Sequence, residues 1–157
     1  KDWRDWPYFT GDAAMQADDG YYRILGRMDD VINVAGHRLG TKELESAGLA
    51  VLQVAEAAVV PLAEPIKGRV PDMYISLKPG YKPSEEIKAA VTQAIEVSIG
   101  KIARPQHVYI VSDMPKTRSG KIMRRVLADI SNGRDIGDVT TLANPEIVRE
   151  IQRMVRE

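Results

Sequence analysis

A small α+β domain is expected over residues 28–157, with a mixed sheet of about three central strands flanked by helices and preceded by a β-hairpin. Short β-branched runs alternate with longer runs of helical period, and Gly, Pro and Asn fall between them. Hydrophobic residues make up 44% and charged residues 28% of the 157, enough apolar surface for one buried core. Alternation of this kind stacks helices on a sheet.

The hairpin comes first. Tyr8-Phe9-Thr10-Gly11-Asp12 reads as a strand entering a turn, and Asp18-Asp19-Gly20 is a hairpin signal leading to the returning strand Tyr21–Gly26. Two strands with Trp3 and Trp6 make too little core to stand alone, so residues 1–27 are expected to pack on chain outside this sequence. The start at Lys1, without an initiator Met, also points to a piece of a longer protein.

Val31-Ile32-Asn33-Val34-Ala35 is then a β-branched strand, and Gly36-His37-Arg38-Leu39-Gly40 a glycine-bracketed turn. Thr41 is placed to N-cap a helix reaching Leu49 or Leu52. Ala57–Leu62 reads as a buried strand ending near Pro61, residues 63–71 as a loop, and Met73–Leu77 as the next strand. Ser84 N-caps a helix whose apolar face is Ile87, Val91, Ala94, Ile95 and Ile99, with Glu85 and Glu86 favouring its dipole and Gly100 stopping it. Val108–Val111 is the last strand. A helix from Ile122 carries Val126 and Ile130 and ends at Asn132-Gly133. After a polar connector, Pro145 opens a terminal helix with the stripe Ile147, Val148, Ile151 and Val155.

Several function classes drop out. Lys plus Arg and Asp plus Glu balance at 22 each, against a uniformly basic nucleic-acid or membrane binder. Without cysteine there is no thiol nucleophile or zinc–thiolate site, and His37 and His107 are too dispersed for a histidine metal site. No metal ligands are assigned. No apolar run approaches a membrane span and the N-terminus is not a signal peptide, so a cytoplasmic location is expected.

The segment Pro115-Lys116-Thr117-Arg118-Ser119-Gly120-Lys121 is a cationic loop that leads into the Ile122 helix. Lys121 falls in the expected first helical turn, where the dipole disfavours a cation by a few tenths to about 1 kcal/mol. It reads either as an ordinary solvated lysine or as one retained to meet an anion. The loop is not a Walker phosphate loop, because Pro115 stands where the first Gly belongs and Ile122 where Ser or Thr belongs.

Four segments in order resemble the C-terminal motifs of the acyl-adenylate-forming enzymes: Tyr8–Asp12, Gly26-Arg27-Met28-Asp29-Asp30, Asn33–Arg38 and Pro115–Lys121. The likeness runs from about Trp6 to the tail. Gly36–Thr41 and Gly137-Asp138-Val139-Thr140-Thr141-Leu142 are similar to the acetyl- and propionyl-CoA synthetase branch. The resemblance implies a two-step ligase: a short-chain carboxylate and ATP give acyl-AMP and pyrophosphate, and CoA then takes the acyl group. It makes residues 1–27 the end of a large N-terminal domain and 28–157 a mobile C-terminal domain, probed alone an inactive fragment.

Roles follow from the resemblance, residue by residue. Asp12 would accept the ribose hydroxyls of ATP or AMP, a task suited to its two acceptor oxygens; the alternative for the bare residue is an Asx-turn in the hairpin. Arg27 would also contact the nucleotide sugar, and Arg38 would reach the ATP phosphates with a planar bidentate donor. Asp29 would be the hinge between two catalytic poses, or a plain turn residue. Gly36 would line the pantetheine arm of CoA, where a side chain has no room, or supply a positive-φ turn; His37 stands beside it as a CoA-channel or turn residue. Lys121 would bridge the acyl carboxylate and the α-phosphate, catalysing by electrostatics. The resemblance also implies acylation of Lys121 by a lysine acetyltransferase, reversed by a deacetylase, removing its charge. Magnesium would travel on ATP, bound mainly by the N-terminal domain, with CoA as co-substrate.

Two segments depart from the family pattern. Glu96 stands where relatives carry an arginine for the CoA 3′-phosphate, leaving Lys101 or Arg104 as candidates. Leu49–Val54 lacks a His-Pro pair common in relatives. Three alternatives stay open: the C-terminal domain of a carrier-protein-loading or luciferase-like enzyme, a free-standing nucleotide- or partner-binding module that is a lysine-acylation target, and a plain α+β domain with a basic loop.

Overall fold

The computed structural model describes residues 10–27 and 30–156. In chain order the elements are β1 (Asp12–Gln16), β2 (Tyr22–Arg27), β3 (Val31–Val34), β4 (His37–Gly40), α1 (Thr41–Leu49), β5 (Val54–Glu64), β6 (Gly68–Leu77), α2 (Glu85–Ser98), a 3₁₀ turn (Lys101–Ala103), β7 (Val108–Val111), α3 (Arg124–Ser131) and α4 (Glu146–Arg156). The expected α+β class with a mixed sheet is present, but the main sheet has five strands rather than about three.

Strand β6 is its spine. Antiparallel β5 runs along one edge, from Val54 opposite Leu77 to Glu64 opposite Gly68. The other edge takes β3 at Gly68 and parallel β7 from Met73 to Ser76. The additional pairing comes from segments expected as turn or loop. Residues 37–40 form β4 against β3, and the 63–71 loop contracts to a turn at 65–67. Nor does β5 stop at Pro61. That residue, on the edge strand, lies opposite Pro71, and each carbonyl finds a donor elsewhere: Asn132 Nδ2 donates to Pro61 O and the Gln106 N–H to Pro71 O, both at 2.8 Å.

Alternation along β5 and β6 sends Ala57, Val59, Met73 and Ile75 to one face and Ala58, Val60 and Tyr74 to the other. Helices α1 and α2 cover the first face through Leu44, Ala47, Ile87, Val91 and Ile95. Helices α3 and α4 cover the second through Val126, Leu127, Ile130, Ile147, Val148 and Ile151. A sheet covered on both sides explains why Ala57–Val60 is continuously apolar. Helix α1 comes closest at Gly48, where a Cβ would lie 2.2 Å from Met73 Cε.

The caps divide. Ser84 Oγ accepts from the Ile87 N–H at 3.4 Å, as expected. For α1, Gly40 takes the N-cap position and Thr41 is the first helical residue, buried, its Oγ1 without a partner among the described residues. Helix α3 begins at Arg124, not Ile122. β1 and β2 form a separate two-stranded sheet, with a bulge between Ala13 and Ala14. The strand expected from Tyr8 lies outside the described residues up to Phe9, and the pairing observed starts at Asp12.

Candidate active site

Lys121 is exposed on the loop between β7 and α3. It does not sit in the first turn of a helix: Lys116 bridges to Ile122 and the Met123 N–H donates to Pro115 O at 2.8 Å, so residues 122–123 are extended. The helix dipole is therefore a smaller burden on Lys121 than the sequence implied. The loop closes on itself. Thr117 N–H donates to Lys121 O and Gly120 N–H to Thr117 O, both at 2.9 Å, and Lys121 N–H donates to Thr117 Oγ1 at 3.1 Å. Gly120 makes the turn at φ 80°. With these N–H groups satisfied internally, the loop is not a backbone phosphate cradle. It presents a side chain.

Beneath Lys121 the charges are paired. Lys116 Nζ lies 2.8 Å from Asp113 Oδ1 and 2.9 Å from Glu56 Oε2, and these partners, Asp113 first, raise the Lys116 pKa. Burial pushes the Asp113 carboxyl up, but Lys116 and the Met114 N–H outweigh it and hold it low. Asn144, from the far end of the chain, bonds the same arm of the loop. Arg124, three positions beyond Lys121, meets buried Glu45 of α1 with Nε and Nη2, both at 2.8 Å. None of these partners was assigned from sequence. The one local signal was Asn144 before Pro145, which reads as a helix start.

Gly36 and His37 belong to the tight β3–β4 turn. Ala35 at φ 47° and Gly36 at φ 86° are its two central residues, both left-handed, as a two-residue hairpin requires. The Ala35 N–H donates to Lys67 O at 3.2 Å, resting this turn against the 65–67 turn. Gly36 is exposed and an added Cβ would meet nothing within 4 Å. Its freedom serves the turn, while the space over it is open to a ligand. Arg38 is exposed opposite Asn33.

Asp12 and Arg27 are brought together as the end pair of the β1–β2 hairpin. The Arg27 guanidinium also lies over Gly11, its Nη2 3.2 Å from where a Cβ would be. Asp29 lies outside the described residues. Lys121 and Gly36 thus occupy two separate turns and the Asp12–Arg27 pair the open end of a hairpin, and no hydrogen bond or ion pair among the described residues joins Lys121 to the Gly36 turn. Arg104 Nη1 is 3.5 Å from Glu96 Oε1, so of the two candidate phosphate cations it is already paired. Among the described residues no three His, Asp or Glu side chains stand together as a metal site, and no helix is long and apolar enough to cross a membrane.

Among the described residues the loop thus presents Lys121 as an exposed cation on a braced backbone, apart from the glycine turn. Residues 43–121, half of the chain, match the family described as AMP-binding enzyme C-terminal domain. The chain belongs to that family.

This AMP-binding C-terminal domain is 48% identical over 157 residues to acetyl-coenzyme A synthetase of Pyrobaculum arsenaticum, covering 99% of the chain and 23% of the relative. It is 50% identical over 146 residues to the acetyl-coenzyme A synthetase of Penicillium chrysogenum, covering 92% and 22%. Among solved structures, the anthranilate CoA ligase AuaEII in complex with anthranoyl-AMP matches with a TM-score of 0.71 and 32% identity, over 78% of this chain and 24% of that one. Brucella canis acyl-CoA synthetase matches with a TM-score of 0.63 and 34% identity, over 78% and 22%. The chain spans about a quarter of the length of the relatives it matches.

Proposed function

We propose that this domain serves an AMP-forming acyl-CoA synthetase that activates a short-chain carboxylate such as acetate or propionate. The observation that carries the reading is Lys121, an exposed cation on a loop whose backbone is closed and whose neighbouring lysine is neutralised. The relatives named acetyl-coenzyme A synthetase, similar over nearly the whole chain, support this branch over carrier-loading or luciferase-like enzymes.

In the first step a carboxylate oxygen attacks the α-phosphorus of ATP, and pyrophosphate leaves with the electron pair of the bond broken. Two anions must approach, and Lys121 placed between them lowers their repulsion and stabilises the charge developing in line. Asp12 and Arg27 hold the nucleotide sugar and Arg38 the phosphates. Magnesium enters with ATP as part of the substrate. In the second step the CoA thiol, losing its proton, attacks the acyl carbonyl and AMP leaves.

The second step uses a different face. The domain turns about Asp29, Lys121 withdraws, and the Gly36 turn with His37 flanks the pantetheine arm. Residues 1–27 belong with the large N-terminal domain and 28–157 with the mobile one. Exposed Met15, Tyr22 and Ile24 on the β1–β2 hairpin support that division, being apolar surface suited to a larger body. Acylation of Lys121 by a lysine acetyltransferase would stop the first step by removing its charge.

The test is acid-dependent ATP–pyrophosphate exchange by the complete enzyme, wild type against Lys121→Ala. Exchange is expected to fall by about 10²–10³-fold, with thioester formation from supplied acyl-AMP retained. Equal loss of both half-reactions would refute the two-pose reading.

A further inference from the structure

The first arm of the lysine loop, Lys116-Thr117, is held by an isolated bridge on each side, and one of the two comes from the tail. On one side Lys116 bridges Ile122. On the other, Thr117 bridges Leu142, and the Ala143 N–H donates to Lys116 O at 2.8 Å. Asn144 adds its side chain on the tail side: its Oδ1 accepts from the Lys116 N–H at 3.0 Å. Its Nδ2 turns back to donate to Met114 O at 2.8 Å and Asp113 Oδ2 at 3.0 Å. Both amide protons and the oxygen are engaged on residues 113–116.

The support behind this amide is firm. Asn144 precedes Pro145, and the helix that follows buries Ile147, Val148 and Ile151 in the core under α3. An Asn in this place ordinarily caps its helix with the side chain. Here the Ile147 N–H goes to the Asn144 backbone oxygen at 3.2 Å, and the side chain faces the loop instead. The family match ends at Lys121, so this contact lies beyond it.

We infer that Asn144 is a positioning residue for Lys121, fastening the arm of the loop from which the lysine is presented. The inference rests on the reading of Lys121 as the adenylation cation. Losing the amide removes these partners from Lys116 N–H, Met114 O and Asp113, and leaves the loop its bridges to Ile122 and Leu142, the Ala143 and Met123 N–H bonds and the Lys116 Nζ ion pairs, none of which engages the Lys116 N–H or Met114 O. A displacement of about 1 Å at a reacting group costs roughly a hundredfold in rate. Thioester formation, in which Lys121 takes no part, is spared.

The experiment uses the complete enzyme with Asn144→Ala and Asn144→Asp. The aspartate keeps an acceptor for Lys116 N–H but loses both donors and sets a second carboxylate beside Asp113. In both variants, kcat for pyrophosphate exchange is expected to fall about tenfold to hundredfold. The KM for ATP and thioester formation from supplied acyl-AMP should stay within about twofold of wild type. Hydrogen exchange at the amides of 116–121 should quicken about tenfold or more while β5 and β6 keep their rates.

Equal loss of both half-reactions, or lost protection across the sheet, would make Asn144 a folding residue and overturn the inference. Unchanged loop exchange or unchanged pyrophosphate exchange would overturn it too. If Lys121→Ala itself leaves pyrophosphate exchange intact, the reading of Lys121 fails and the inference falls with it. The loop amides distinguish that failure, because they report fastening independently of catalysis.

Discussion

Removing Glu45 should cost this domain more stability than removing most core side chains. Its carboxylate is 5% exposed and accepts Arg124 Nε and Nη2 at 2.8 Å, the Val59 N–H at 3.1 Å and Lys42 Nζ at 3.0 Å. Glu45→Ala strands the Arg124 guanidinium, itself 25% exposed, and leaves a buried backbone N–H on β5 unsatisfied. Breaking a buried pair from one side costs about 3–5 kcal/mol. That is a large part of the roughly 5–15 kcal/mol holding a domain together, and a shift of about 6–20 °C in Tm for a chain this size.

Arg124→Ala should cost less, because Lys42 still faces Glu45. The double replacement Glu45→Leu with Arg124→Met should recover most of the loss. Lys42 Nζ turns to solvent, and of the buried groups the Val59 N–H then lacks a partner, at about 1–3 kcal/mol. Urea unfolding of these four proteins, with the Glu45→Ala/Arg124→Ala double variant to close the cycle, reads these values from the midpoint at constant slope. A loss below about 1 kcal/mol for Glu45→Ala, or a coupling energy below about 0.5 kcal/mol, would refute the argument.

Two further outcomes are expected. Buried Asp72 accepts from His107 Nδ1 at 2.9 Å and Ser131 Oγ at 2.7 Å, and burial raises its pKa despite both. Asp72→Asn, which keeps an acceptor for Ser131, should cost about 1 kcal/mol or less at neutral pH, and Asp72→Ala about 2–4. As pH falls the folded state takes up this proton before the unfolded one does, so the stabilisation is present below the ordinary carboxylate pKa and lost as pH rises through the raised value. Asp72→Asn should therefore compare worst with wild type near about pH 4, and unfolding midpoints that show the reverse would contradict this sign. Gly36→Ala meets no atom, so its cost is the left-handed backbone, about 1–2 kcal/mol. In the complete enzyme it should slow thioester formation more than pyrophosphate exchange, and the opposite ranking would remove Gly36 from the CoA face.

Much of the architecture is legible locally. The Ser84 cap, the stripe Ile87, Val91 and Ile95, and the apolar run Ala57–Val60 appear where their periods place them, because each depends on residues a few positions apart. The motifs that carry the family resemblance are equally local, so Lys121, Gly36, Asp12 and Arg27 could be named before any coordinates. The errors have a common cause. Pro61 looked like a strand end until Pro71 stood opposite it, and Ile122 looked helical until Lys116 and Pro115 held it extended.

The surroundings of the site depended on packing. Arg124 finds Glu45 across 79 positions, Asn144 finds the Lys116 N–H across 28, and Glu56 reaches Lys116 from another strand. No period or cap encodes such partners, since a hydrogen bond or ion pair depends on a few ångströms in space and is indifferent to distance along the chain. The candidate lysine was written in a short motif; which residues brace its loop emerged only when the sheet brought Glu45, Glu56 and Asn144 to that loop and the start of α3.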